Sequence, residues 1–189
     1  SKLKAPRKEW HTLRLTARQM TTIAMVVACA AALGYLLLTA LPLPGMKFAL
    51  LAPLLAMMVG IPLSLIRERG VLLLTAVVLA AVMSLVSLLM GAAIVLTGLL
   101  EEAFALLLCP PPYSRQAVRW LSSTFPTLCV AVTAIVAHFV LGVPLLGVTW
   151  SGLLPLMLFT QLLGTAGFVV TERLLLPRIA IVRQRLRRE

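Results

Sequence analysis

The stretch VLLLTAVVLAAVMSLVSLLMGAAIVLTGLLEEAFALLL, residues 71–108, decides the fold class. Its only charged residues are Glu101 and Glu102. An apolar run of about 18 residues or more reads as a membrane-spanning helix. We read this stretch as two spans, 71–90 and 92–109, with the break near Met90–Gly91. The whole chain has only six acids. Two of them lie side by side, about halfway along the second of these spans, where water should be absent.

Similar runs lie at 19–41, 46–66, 120–141 and 150–172. The composition agrees: 61% of the 189 residues are hydrophobic and 12% charged, against about 25% charged in an ordinary soluble domain. The expected fold is an all-α integral membrane protein, a single domain over 1–189 forming a compact bundle of six transmembrane helices. The breaks fit this count. LPLPG (41–45) and CPPPYSRQ (109–116) hold helix-stopping prolines. RERG (67–70) is a charged turn, and GVPLLG (142–147) an apolar one.

With six spans, the lead 1–18, the 67–70 turn, the 109–119 loop and the tail 173–189 share one side. Sixteen of the 17 Lys and Arg fall there, Lys47 being the exception. Basic short loops stay cytoplasmic, so both termini are expected in the cytoplasm and the chain in the inner (plasma) membrane. The polar, basic start reads as a cytoplasmic lead and not as a cleaved signal. Trp10, Trp120, Trp150 and Tyr35 fall near span ends, as interfacial aromatics do. The net charge of +11 is accounted for by topology and anionic lipid headgroups, without nucleic acid as a partner. The three cysteines have neither disulfide nor zinc spacing, and no metal or other cofactor is expected.

Several features bear on function. Ala24, Ala28 and Ala32 recur at spacing four and share one helical face. Small residues permit close helix approach in lipid. The face either packs inside the bundle or docks another membrane subunit. Lys47 is either a snorkelling interfacial lysine or meets an anionic ligand group from a lid loop at 42–48. Intramembrane carboxylates usually face a bundle interior or a wet cavity. Adjacent helical residues point about 100° apart, so Glu101 and Glu102 cannot clamp one atom. Either they serve a ligand, or they bond to a neighbouring helix. His138 and Gln161 are further intramembrane polar groups, and a lone histidine commonly serves as an interhelical donor. Met57, Met58, Met83 and Met90 are core or lipid-facing fill, or an adaptable cavity wall.

These residues bear on three function classes. EEAFAL (101–106) is similar to the Glu-Glu-x-x-x-Arg motif of CPBP-type membrane proteases, but Leu106 stands in place of the arginine and only one histidine lies in a span. No nucleophile–base pair appears elsewhere, so an enzyme is not expected. A transporter subunit would need partners, since there is no phosphate-binding loop for ATP. A small basic-tailed membrane scaffold of the cell-shape type is the other class, and it leaves the buried glutamates unexplained.

The basic lead, the alanine stripe, the PGMKF loop (44–48) and six spans in about 180 residues resemble the substrate-binding (S) components of energy-coupling factor (ECF) type ABC transporters. The resemblance covers essentially the whole chain. GLLEEAFALL (98–107) is similar to the fourth-span region of members that handle thiamine or its precursors, with Glu102 the better match. The resemblance implies capture of a vitamin-like small molecule near the extracellular side. It also implies docking on a transmembrane coupling subunit driven by two ATPase subunits. Ala24, Ala28 and Ala32 would make the docking contact. The expected substrate-binding residues are Glu101, Glu102, Lys47, His138 and Gln161.

Overall fold

The computed structural model describes residues 16–40, 44–109, 112–142 and 150–179. Six helices follow in order: α1 (Ala17–Ala40), α2 (Pro44–Ile66), α3 (Val71–Ser84), α4 (Leu88–Leu108), α5 (Arg115–Leu141) and α6 (Trp150–Val170). A π-helical turn, Thr171–Leu175, continues α6. No strand occurs among the described residues. Four segments, in α1, α4, α5 and α6 with its extension, are long and apolar enough to cross a bilayer. The chain is thus an all-helical protein suited to a membrane.

The 71–108 stretch does break in two, but earlier than Met90–Gly91. α3 stops at Ser84 and α4 starts at Leu88. The Ser84 hydroxyl donates to the Ala80 carbonyl at 2.7 Å, a back-bond that competes with regular helix geometry. Ser87 is extended, with φ −158° and ψ 122°. Gly91 is already helical, its N–H donating to the Ser87 carbonyl at 3.1 Å. Its lack of a side chain answers a different need, since a Cβ there would collide with the Ser84 hydroxyl of α3. α3 therefore has 14 residues, about 21 Å at about 1.5 Å per residue, short of a ~30 Å hydrocarbon core.

α2 begins at Pro44, so Gly45, Met46, Lys47 and Phe48 belong to a helix and not to a loop. Proline at a first helical position sacrifices no bond, because that N–H has no intrahelical partner anyway. The lid expected at 42–48 is corrected accordingly: only 41–43 lie between α1 and α2, and these are outside the described residues.

α2 is the hub, packing on α1, α3, α5 and α6, while α4 pairs with α3 and α5. α1 packs on α2 and α3. Its inward residues are Ile23, Val27, Ala30 and Ala31. One end of the bundle is basic. There the Tyr113 N–H donates to the Arg67 carbonyl at 3.3 Å, joining the α2–α3 turn to the α4–α5 connection. The far end holds the 85–87 turn.

Candidate functional site

The two glutamates part company as the 100° step requires. Glu102 reaches across to α3. One carboxylate oxygen accepts the Gly70 N–H at 2.7 Å, and the other the Leu73 N–H at 3.4 Å. Gly70 precedes α3 in a left-handed conformation, φ 78°, and has no side chain with which to cap it. The first N–H groups of a helix have no partner within it. Glu102 supplies the missing acceptor from another helix, where the helix dipole also favours it. Glu102 therefore lies level with the 67–70 turn, toward the basic end, and not halfway along its span.

Tyr113 closes this corner. Its hydroxyl donates to Glu102 at 3.4 Å, and the ring is buried. Burial, followed by the Glu102 charge, pushes the phenol up from 10.0 to about 12. The folded protein thus keeps a proton that the unfolded chain releases near pH 10. The associated stability is whole below pH 10 and is lost as the pH climbs toward 12. A thermal-unfolding series in detergent should show a fall over that window, and Tyr113→Phe should flatten it. An identical fall in the variant would remove Tyr113 as its cause.

Glu101 points toward α5. One oxygen lies 2.9 Å from the Thr124 hydroxyl. The other is buried and has no hydrogen-bond partner among the described residues. The Thr124 hydroxyl also lies 2.9 Å from the Trp120 carbonyl and 3.2 Å from that of Leu121. It has one proton to give, so these three acceptors compete for it. The chemical consequence is a tie between α4 and α5 with one oxygen held in reserve, closed to water.

The other expected site residues lie elsewhere. Gln161 accepts from Thr127 at 2.7 Å and faces a groove between α5 and α6. His138 is exposed near the far end of α5, its ring edge-on to Phe139 at 5.7 Å. Lys47 lies in the first turns of α2, with its side chain outside the described residues. Among the described residues, Glu101, Glu102, His138 and Gln161 do not meet around one hollow.

Two concave features lie among the described residues. The first, of ≈ 30 Å³, is lined by residues from each of α1 to α5 in the far half of the bundle. Met58, Met83 and Met90 line it with Leu79, Cys129 and Thr133. Neither glutamate lines it. The second is the open α5–α6 groove at the basic end, ≈ 530 Å³.

The alanine stripe is unambiguous in direction. Ala24, Ala28 and Ala32 are all exposed, and Met25, Leu36 and Tyr35 flank them, also exposed. Among the described residues the stripe faces away from α2 and α3, on which α1 packs.

Thr124, Tyr113 and the Arg119–Trp120 side of the groove escaped the sequence reading as site residues. Gly70 carried a usable signal, since a helix preceded by glycine must find its cap elsewhere. Nothing local announces that Thr124 faces Glu101. Comparison of the chain with protein-family models, with curated proteins and with solved structures gives no match.

Proposed function

We propose that the chain is a six-helix membrane subunit of a multicomponent importer, with both termini in the cytoplasm. In this reading it docks a larger membrane partner through the outward face of α1. It accepts a small apolar or vitamin-like solute in the methionine-lined cavity. This is the S-component role, with a coupling subunit and two ATPases as partners. The observation that carries it is the exposure of Ala24, Ala28 and Ala32 on a helix that packs on α2 and α3. A narrow small-residue strip facing lipid gains little from lipid, but it lets a second helix approach closely. The far-end position of the cavity suits capture from outside. Its methionines can repack around a guest, which must widen it, since ligand pockets run to about 300–1,000 Å³.

Ala28→Trp should abolish co-purification with a partner membrane protein from native membranes while leaving the thermal midpoint unchanged. Undiminished co-purification would remove the stripe from docking. Isothermal titration against a vitamin panel tests the cavity separately.

A scaffold role is the second reading, and the small cavity volume favours it. Glu102 spent on capping α3 favours it too, because a carboxylate with a structural task needs no ligand. Native mass spectrometry separates the two. Bound small-molecule cargo supports the importer, and a cargo-free homo-oligomer supports the scaffold.

A further inference from the structure

The groove between α5 and α6 has an unusual lining for a surface facing lipid. α5 contributes Arg115, Gln116, Arg119, Trp120 and Ser123, and α6 with its extension Gln161, Thr165 and Glu172. Both helices are among those long and apolar enough to span a bilayer, and the groove lies apart from α1. Arg115 to Ser123 is eight residue steps, about 12 Å of helix, and Gln161, bonded to Thr127, carries the polar lining further from the basic end. A polar wall in lipid is costly unless something satisfies it.

The lining has donors to spare. Gln161 spends its carbonyl oxygen on Thr127, and its amide N–H groups donate to no acceptor among the described residues. The Thr165 and Ser123 hydroxyls are already given to the Gln161 and Trp120 carbonyls. Arg119 is exposed and forms no ion pair among the described residues. Arg115 is engaged with Glu172 through one nitrogen, at 2.6 Å, which leaves its remaining N–H groups available. Two arginines against one glutamate leave the groove net positive. Glu172 sits in the π-helical turn, a distortion often found at functional sites.

We propose that this groove binds the phosphate and glycerol backbone of an anionic phospholipid from the leaflet at the basic end. Arg119, assisted by Arg115, takes the phosphate. The Gln161 amide takes an ester carbonyl deeper down. Trp120, 61% exposed, sits at the headgroup level as interfacial indoles do. Leu158 and Leu162, both exposed on α6, give the acyl chains an apolar track. A volume of ≈ 530 Å³ suits a headgroup with its glycerol. Basic pockets between helices at this depth recognise anionic headgroups generally.

The test is native mass spectrometry of the full chain in detergent with equal phosphatidylglycerol and phosphatidylcholine. Wild type should retain phosphatidylglycerol about fivefold over phosphatidylcholine, the equivalent of one well-used cation. The double variant Arg119→Ala/Gln161→Leu should fall to parity while remaining folded, and Arg119→Ala alone should lose most of the preference with its thermal midpoint unchanged. Arg173→Ala/Arg178→Ala, which removes basic charge outside the groove, should keep the preference. Equal loss in both variants, or none in the first, would overturn the groove as the site. Excess inorganic phosphate should leave the adducts in place. Full displacement by it would show a free-phosphate site and overturn the lipid assignment.

Discussion

Glu102→Ala is expected to destabilise the protein by about 3 kcal/mol. The substitution strips the Gly70 and Leu73 N–H groups and the Tyr113 hydroxyl of their acceptor. Bonds to a charged acceptor contribute about 1.5–3 kcal/mol each, and buried groups left unpaired cost about 1–3 kcal/mol. Part of that cost is recovered by water entering at the basic end, which is why the sum is not larger. For a chain of this size the loss corresponds to a thermal midpoint lower by roughly 6–12 °C. Hydrogen exchange should quicken first at residues 70–74, where α3 loses its cap. Glu102→Gln keeps one acceptor oxygen and should lose distinctly less. Glu101→Gln preserves the Thr124 contact and should also be the milder change. If Glu102→Ala melts with wild type, the capping role is wrong, and the carboxylate becomes available again for a ligand.

This contrast explains what could be read in the 71–108 stretch and what could not. Hydropathy alone showed that it forms two apolar helices. The break lies before Gly91 because that glycine is no punctuation but a contact point that lets α4 approach Ser84. Ser84 and Ser87, which do shape the turn, are modest breakers in any sequence. The glutamates could be placed 100° apart from helix geometry. Their partners could not, since Gly70 and Thr124 lie 32 and 23 residues away and reach them only through helix order in the bundle. The alanine stripe shows the same boundary. Spacing put Ala24, Ala28 and Ala32 on one face, but only the packing of α1 on α2 and α3 tells that this face looks outward. PGMKF misled for a local reason: proline and glycine suggest a loop, yet a proline at a helix start is favourable.

Gly167→Val should prise α6 away from α2 and disrupt the bundle. A Cβ at Gly167 would stand 2.5 Å from both the Cα and the carbonyl oxygen of Pro53. The obstacle is backbone, so no rotamer change relieves it, and α6 must move off α2. Overpacking by one methyl costs about 1–3 kcal/mol, so Gly167→Ala should already lower the midpoint and valine should prevent the native fold. In a membrane this seam cannot be replaced by hydrophobic burial, because lipid tails are as apolar as the residues they would meet. Gly34 provides the opposite sign in the same molecule. Its added Cβ would meet only the Leu51 and Leu54 side chains, at 3.5 and 3.7 Å, which is ordinary contact. Alanine there should therefore be neutral or stabilising by about 0.5–1 kcal/mol, through helix propensity. Because Gly34 also lines the methionine cavity, that same variant should weaken any solute bound there while raising the midpoint. Thermal unfolding of Gly167→Ala and Gly34→Ala side by side decides the matter. Equal midpoints would mean that α2 and α6 are not in backbone contact, and the hub arrangement around α2 would fall with them.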